Sequence, residues 1–361
     1  MRRLLPVLAL LPVVLSSADF DWRLPPGFPQ PVIPADNPMT ADKVELGRYL
    51  FYDSRMSGNG KQSCASCHRQ ELAFTDGRGR GLGSTGELHP RGPMGLVNIA
   101  YAPRLTWANP TLESLEDQAL APMFGTEPVE LGLKGHETKL VALLKNEPVY
   151  RDRFPKVFGE APYTVPNIIK AIAAFERSII SMRSPYDRYR WGGEPNAISE
   201  SAKRGEILFS SSKSGGCFQC HGGWNFSGAV RFDGKREAAG ENDPRTAFFN
   251  TGVSPYKEPN RGIFEHTKDP QDLGKFRAPS LRNIAVTAPY MHDGNIATLE
   301  DVLDHYMAGG RFRSSSTSGR INPFSLSQTE KADLLEFLKS LTDDALLRDQ
   351  RWSNPWPSPK R

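Results

Sequence analysis

The chain has 361 residues and carries 45 Lys and Arg against 41 Asp and Glu, a net charge of +4 with no basic run of five or more, which argues against a nucleic-acid partner. Apolar residues make up 38% and charged residues 24%, which excludes a disordered chain and a membrane bundle and leaves material for two ordinary domains. With 32 Gly and 30 Pro, much loop and few long uninterrupted elements are expected.

Arg2, Arg3, the apolar stretch Leu4–Leu15 and the small residues Ser16, Ser17 and Ala18 have the form of an export signal over 1–18, with Asp19 as first mature residue. An uncleaved anchor is the competing reading, but the stretch is shorter than the roughly 20 apolar residues that span a bilayer. No other apolar run is long enough to cross, so the mature chain is expected to be soluble and, in a Gram-negative cell, periplasmic. Residues 19–39, with Pro25, Pro26, Pro29, Pro31 and Pro34, form an extended arm. A helix is predicted from the N-cap Thr40 through Val44, Leu46 and Tyr49 to Phe51. Residues 77–110 are Gly- and Pro-rich loop, while Thr111–Leu120 and His136–Leu144 look helical. Pro166–Met182 is a helix with Pro166 in the first turn and an apolar stripe of Ile168, Ile169, Ile172, Phe175, Ile179 and Ile180. Ser184 and Pro185 end it, and 185–198 reads as a linker.

A second helix, Ser199–Phe209, then repeats an earlier pattern. Gly47-Arg48-Tyr49-Leu50-Phe51 and Gly205-Glu206-Ile207-Leu208-Phe209 each precede a Cys-x-x-Cys-His by a short loop, so the chain holds a weak internal repeat. Later helices are predicted at Thr298–Met307 and at Ser327–Leu341, the latter opened by a capping box of Ser327 and Glu330. No segment shows strand alternation.

All four cysteines fall in Cys64-Ala65-Ser66-Cys67-His68 and Cys217-Phe218-Gln219-Cys220-His221. Two thiols at this spacing add across the two haem vinyl groups, and the next His swings under the iron. A four-thiolate zinc site would leave both histidines unused, a thioredoxin-type pair would not be duplicated, and a disulfide across Cys-x-x-Cys is tight and strained. The motif fixes two covalent haem c groups and not the reaction. The fold is expected to be mainly α, with two tandem cytochrome c-like haem domains and long loops: 40–184, 199–343, and a tail at 344–361.

Several further segments carry a family likeness: Phe74-Thr75-Asp76-Gly77, Leu96-Val97-Asn98-Ile99-Ala100-Tyr101, Leu105-Thr106-Trp107, Gln118-Ala119-Leu120-Ala121-Pro122-Met123 and Pro128-Val129-Glu130-Leu131-Gly132. The second half adds Phe276-Arg277-Ala278-Pro279-Ser280-Leu281-Arg282-Asn283-Ile284 and Thr287-Ala288-Pro289-Tyr290-Met291-His292-Asp293-Gly294. From about 40 to 342 the chain resembles the bacterial di-haem cytochrome c peroxidase and MauG superfamily, most closely the MbnH-type enzymes found beside methanobactin-related genes. The resemblance implies that the N-terminal haem, on His68, reacts with hydrogen peroxide and that the C-terminal haem, on His221, supplies or stores an electron.

By that resemblance Glu130 is the base that moves a proton between the peroxide oxygens, with Gln118 and Pro122 lining the pocket. By residue type alone Glu130 would be a solvated carboxylate, and Glu127 is the substitute if the loop register differs. Trp107 is implied as the bridge between haems, a role compatible with core packing. His89 is either a removable ligand of the first iron or a pocket histidine. Tyr306 is favoured as the ligand facing His221, with Met307 open; a Met raises the potential and a tyrosinate lowers it. His292 matches a supporting position and not an iron ligand, and His266 and His305 read as loop or surface histidines. Relatives hold Ca2+ between the haems, which here implicates the Asn98 side chain and the carbonyls of Thr287 and Pro289. The expected function is a peroxide-driven oxidase of a Trp side chain on an exported partner protein. The alternatives are a cytochrome c peroxidase that detoxifies hydrogen peroxide with a small cytochrome donor, and a non-enzymatic electron carrier. Trp224, close to His221 in sequence, is a candidate exit for the oxidising equivalent or simply a packed ring.

Overall fold

The computed structural model describes residues 20–232, 235–238 and 244–357, so the expected export signal lies outside it. The chain is mostly helical. In order it forms α1 (Ala41–Tyr52), α2 (Cys64–Cys67), α3 (Leu115–Phe124), α4 (Glu137–Asn146), α5 (Pro148–Phe158), α6 (Val165–Arg177), α7 (Pro185–Arg190), α8 (Glu200–Phe209), α9 (Phe218–His221), α10 (Phe264–Thr267), α11 (Leu299–Met307) and α12 (Gln328–Ser340). Two small antiparallel sheets accompany them, β1 (Ala229–Phe232) with β2 (Lys235–Ala238), and β3 (Phe248–Phe249) with β4 (Phe276–Arg277). These strands are absent from the sequence expectation because two to four residues are too few to display a period of two. Among the described residues no helix is long and apolar enough to cross a membrane.

Each half is organised by a helix pair that meets at a glycine. A Cβ on Gly47 of α1 would stand 1.9 Å from the carbonyl oxygen of Ala171 on α6, and one on Gly205 of α8 would stand 2.0 Å from that of Asp333 on α12. Gly in a helix interior costs about 0.5–1 kcal/mol relative to Ala, and here the close backbone approach is what requires it. Phe175 and Phe337, both fully buried, pack against the two glycines. One apolar core gathers Leu46, Leu50, Phe51, Ile168, Ile172 and Phe175; a second gathers Phe209, Phe226, Leu334, Phe337 and Leu341.

The chain also crosses between these cores. Leu346 and Trp352 are buried in the first one, where the Trp352 indole donates to the Ser178 carbonyl at 3.2 Å and the Tyr52 hydroxyl donates to the Trp352 carbonyl at 2.6 Å. The N-terminal arm lays Trp22, Leu24 and Phe28 against Tyr101, Ile180, Met182 and Trp224. Between the halves, Asn98 and Asn283 both adopt the left-handed conformation that asparagine tolerates, at φ 57° and 62°, and each opens a single 3-10 turn. The Asn98 side chain accepts from the Ser181 N–H at 2.8 Å and donates to Asn225, while the Asn283 amide donates to the Ser181 hydroxyl at 3.1 Å.

Several elements differ from expectation; α3 starts at Leu115 and not at Thr111, because the Ser114 side chain accepts from the Asp117 N–H and caps it there. α6 ends at Arg177, and beyond it Ile179 and Ser181 give backbone groups to Asn98 in place of continuing the helix. α5 is not among the expected helices; Pro148 occupies the tolerated first turn, and Tyr150 and Phe154 are buried. The segment read as a linker contains α7, capped reciprocally by Ser184 and Asp187. Asp187 also forms a buried ion pair with Arg282 at 2.8 Å.

Candidate functional site

Both Cys-x-x-Cys-His segments fold as single helical turns whose histidines are held alike. The His68 N–H donates to the Cys64 carbonyl, and its Nδ1 stands 2.8 Å from the Phe74 carbonyl oxygen. The His221 N–H donates to the Cys217 carbonyl, and its Nδ1 stands 3.0 Å from the Pro279 carbonyl oxygen. A carbonyl can only accept, so the proton sits on Nδ1 and the Nε2 lone pair is left for a metal. Burial lowers both imidazole pKa values, which keeps the rings neutral as ligation requires. No disulfide joins either cysteine pair, so all four sulfurs remain for thioether links to haem.

A cavity lies against Cys217, Cys220 and His221, with Tyr306, Thr251, Leu303 and Trp107 on its other walls. Tyr306 faces this cavity; the neighbouring Met307 is not among its lining residues. Burial raises the Tyr306 pKa, and a hydrogen bond with Thr251 opposes that rise. A second cavity adjoins it, lined by Asn98, Thr287, Pro289, Arg277 and again Trp107. Trp107 is thus common to both, pinned by its indole N–H to the Gly92 carbonyl at 2.8 Å.

Arg277 tests the fit of a haem group. It is buried, lines both cavities, has no partner for its Nε, and has its pKa pushed down to about 10 by burial alone. A buried guanidinium without a carboxylate is costly, and a haem propionate between the cavities would satisfy it. The paired thiols, the correctly protonated imidazoles and this orphaned cation fit covalent haem. The fit of Ca2+ is thinner. Asn98, Thr287 and Pro289 share one cavity, but no acidic side chain lines it, and the Asn98 oxygen already accepts from Ser181.

The residues expected around the first haem also come together. Gln118 and Pro122 stand one turn apart on α3. The Pro122 carbonyl accepts from the Leu131 N–H at 2.8 Å, which draws Glu130 alongside. The Glu130 charge reaches both Cys64 and Cys67. Its side chain remains 39% exposed, yet the surrounding wall pushes its pKa up to about 7. Glu127 is exposed on the preceding turn. His89 Nε2 lies 3.6 Å from Glu130 Oε1, while His89 Nδ1 accepts from the Arg91 N–H at 3.2 Å. The neutral ring therefore carries its proton on Nε2, the reverse of His68 and His221.

His292 is stacked on Phe276 at 3.6 Å, buried against the cavity beside His221, with its pKa pushed down to about 4 chiefly by burial. His305 is buried and hydrogen-bonded to the Thr251 carbonyl at 2.9 Å; it is not a surface residue as expected, because it faces inward from α11. His266 sits on the short α10. Trp224 is packed edge-on against Tyr101 at 4.7 Å. The sequence reading missed Glu176, a buried carboxylate of α6 with one unpartnered oxygen, a pKa pushed up to about 8 by burial, and a charge felt at Cys64. Its place in an apolar run was the available signal.

The family model for di-haem cytochrome c peroxidase matches residues 41–195. A cytochrome-c peroxidase of Denitromonas iodatirespirans is 35% identical over 356 residues, 94% of this chain and 92% of the relative. The chain belongs to the di-haem cytochrome c peroxidase and MauG family. A methylamine utilization protein MauG of Methylorubrum extorquens is 35% identical over 91% of this chain and 85% of its own length. The crystal structure of a MauG-like protein associated with microbial copper homeostasis is 43% identical, with a TM-score of 0.88, covering 94% of this chain and all of that one. The likeness to the di-haem peroxidase BthA of Burkholderia thailandensis, at 20% identity and a TM-score of 0.63, is one of fold. As a di-haem peroxidase of this family the chain is an oxidoreductase that uses haem c.

Proposed function

We propose that this di-haem peroxidase is a periplasmic oxidase that takes oxidising equivalents from hydrogen peroxide and fills them from a side chain, most simply a Trp, of an exported partner protein. The observation that carries the reading is that Tyr306 lines the same cavity as Cys217, Cys220 and His221, with Met307 outside its lining. An oxygen donor there lowers the potential of a bound haem, and a thioether raises it. When bound through the two Cys pairs, haem supplies the centres that react with peroxide and store its oxidising equivalents.

The chain's own residues do the rest. Glu130, with a pKa near 7, takes a proton from one peroxide oxygen and returns it to the other. Gln118 and Pro122 wall that pocket. His89, with its Nδ1 taken by the Arg91 N–H, carries its proton on Nε2, 3.6 Å from Glu130 Oε1, and so offers no lone pair on that side. Trp107, shared by both cavities, is the relay between them. Asn98, Thr287 and Pro289 would offer Ca2+ neutral oxygens only, which predicts weak, exchangeable binding.

The likeness to the MauG-like protein associated with microbial copper homeostasis supports a MauG-type reading over a plain peroxidase. The test is to add hydrogen peroxide to the fully oxidised holoprotein and follow both haem spectra. Changes at both centres without prior reduction are expected. A requirement for prior reduction would mean a detoxifying peroxidase with a small cytochrome donor, and no turnover would mean a pure electron carrier.

A further inference from the structure

We propose that Trp191 is the surface terminus through which the second haem site draws electrons from a donor protein, with Tyr186 as the buried relay and Glu206 as its proton acceptor. The proposal rests on the peroxide-driven reading above. Trp191 is 44% exposed and, of the tryptophans, it alone lies on the open surface. Its backbone N–H closes α7 on the Asp187 carbonyl at 2.9 Å, and its ring packs edge-on against Phe28 and Tyr186.

Two strings of aromatic rings run inward from it. In one, Trp191 stands edge-on to Tyr186 at 5.7 Å, Tyr186 to Phe226 at 5.3 Å, and Phe226 to Phe209 at 5.9 Å. Phe209 is a wall of the cavity beside Cys217 and His221. In the other, Trp191 meets Phe28 at 5.0 Å and Phe28 meets Trp224 at 5.9 Å, three residues past His221 in sequence. Packing of one ring on the next is worth about 0.5–1.5 kcal/mol per pair and can hold a core by itself. Packing alone gives no reason to keep an indole in water at the end of both strings.

Tyr186 separates the strings chemically. It is buried, and its hydroxyl donates to Glu206 Oε1 at 2.8 Å. Oxidising a buried phenol needs somewhere for its proton, and that carboxylate is in place. One electron leaves Tyr186 for the peroxide-oxidised haem centre while the phenolic proton moves to Glu206. An electron from Trp191 then restores the phenol and the proton returns. One electron from the donor refills Trp191, so each cycle moves one electron inward with no net proton change. The exposed Arg190 next to Trp191 has no carboxylate partner among the described residues, which suits a donor protein with an acidic surface.

The holoprotein is treated with hydrogen peroxide in the absence of any donor. Freeze-quench EPR, peptide mass spectrometry and the lifetime of the oxidised absorption are then compared among wild type, Trp191→Phe, Tyr186→Phe and Trp224→Phe. Expected are oxygen adducts at Trp191 in the wild type, loss of a tryptophan radical signal and a longer-lived oxidised state in Trp191→Phe, and fewer Trp191 adducts in Tyr186→Phe, where Trp191 stays exposed. Decay should be slower in heavy water, and that difference should vanish in Tyr186→Phe. The initial absorption change should be the same in every variant. An oxidised state that forms normally but leaves Trp191 no more modified than Trp356, or decays alike in Trp191→Phe, overturns the terminus. An effect of Trp224→Phe with none of Tyr186→Phe overturns the relay. No absorption change in the wild type removes the peroxide-driven reading and this proposal with it.

Discussion

His89 Nε2 stands 3.6 Å from Glu130 Oε1, and the Arg91 N–H on the far side of the ring decides which nitrogen bears the proton. We propose that the distal side of the first site holds this imidazole beside a base, and not as a second iron ligand.

Glu130→Gln should slow the reaction with hydrogen peroxide by about 10²–10⁴-fold while leaving haem content unchanged, measured by stopped-flow absorption. In the wild type the rate should rise with pH through about 7, because Glu130 acts as a base only once ionised. The Gln variant should lose that step. His89→Ala should leave the resting EPR signal of the first iron unaltered; a change from low-spin to high-spin would show that the ring ligates after all.

Tyr306→Met should raise the potential of the second haem and Tyr306→Phe should remove its oxygen ligand, both read by potentiometric titration and EPR. Met307→Leu should change neither, since Met307 does not line the cavity.

Gly47→Ala and Gly205→Ala should each destabilise the fold by about 1–3 kcal/mol, because each added methyl meets a backbone carbonyl of the partner helix. Denaturant titration of the holoprotein measures this. An unchanged midpoint in both variants would contradict the helix crossings described here.

Glu176 gives a pH-dependent stability with a defined sign. Its pKa is raised by burial from 4.5 to about 8, so the folded state holds that proton more tightly than the unfolded state. The resulting stabilisation is fully present below about pH 4.5 and is lost as pH rises through about 8. Glu176→Gln should flatten the decline in melting temperature over that window, with little change at acid pH.

The paired cysteines and their histidines were legible in the sequence because covalent attachment needs them contiguous. The helix starts at Thr40, Ser199, Thr298 and Ser327 were legible too, since a cap is a local hydrogen bond, and each of those side chains accepts one in the fold. The Gly-x-x-Leu-Phe repeat was visible as a pattern, but its cause, two glycines pressed under neighbouring helices, lies across 124 and 128 residues of chain (171 − 47 and 333 − 205).

What the sequence by itself determined is therefore local: the attachment motifs, the capped helix starts and the mainly helical class. Which nitrogen of His89 is protonated, which of Tyr306 and Met307 faces the cavity, and that Trp107 borders both cavities were decided by tertiary structure alone. Protonation, orientation and shared walls depend on neighbours supplied by distant segments. Arg277, Glu176 and Trp191 were silent for the same reason: a buried cation, a buried acid and an exposed indole look like any other Arg, Glu and Trp until the chain closes around them.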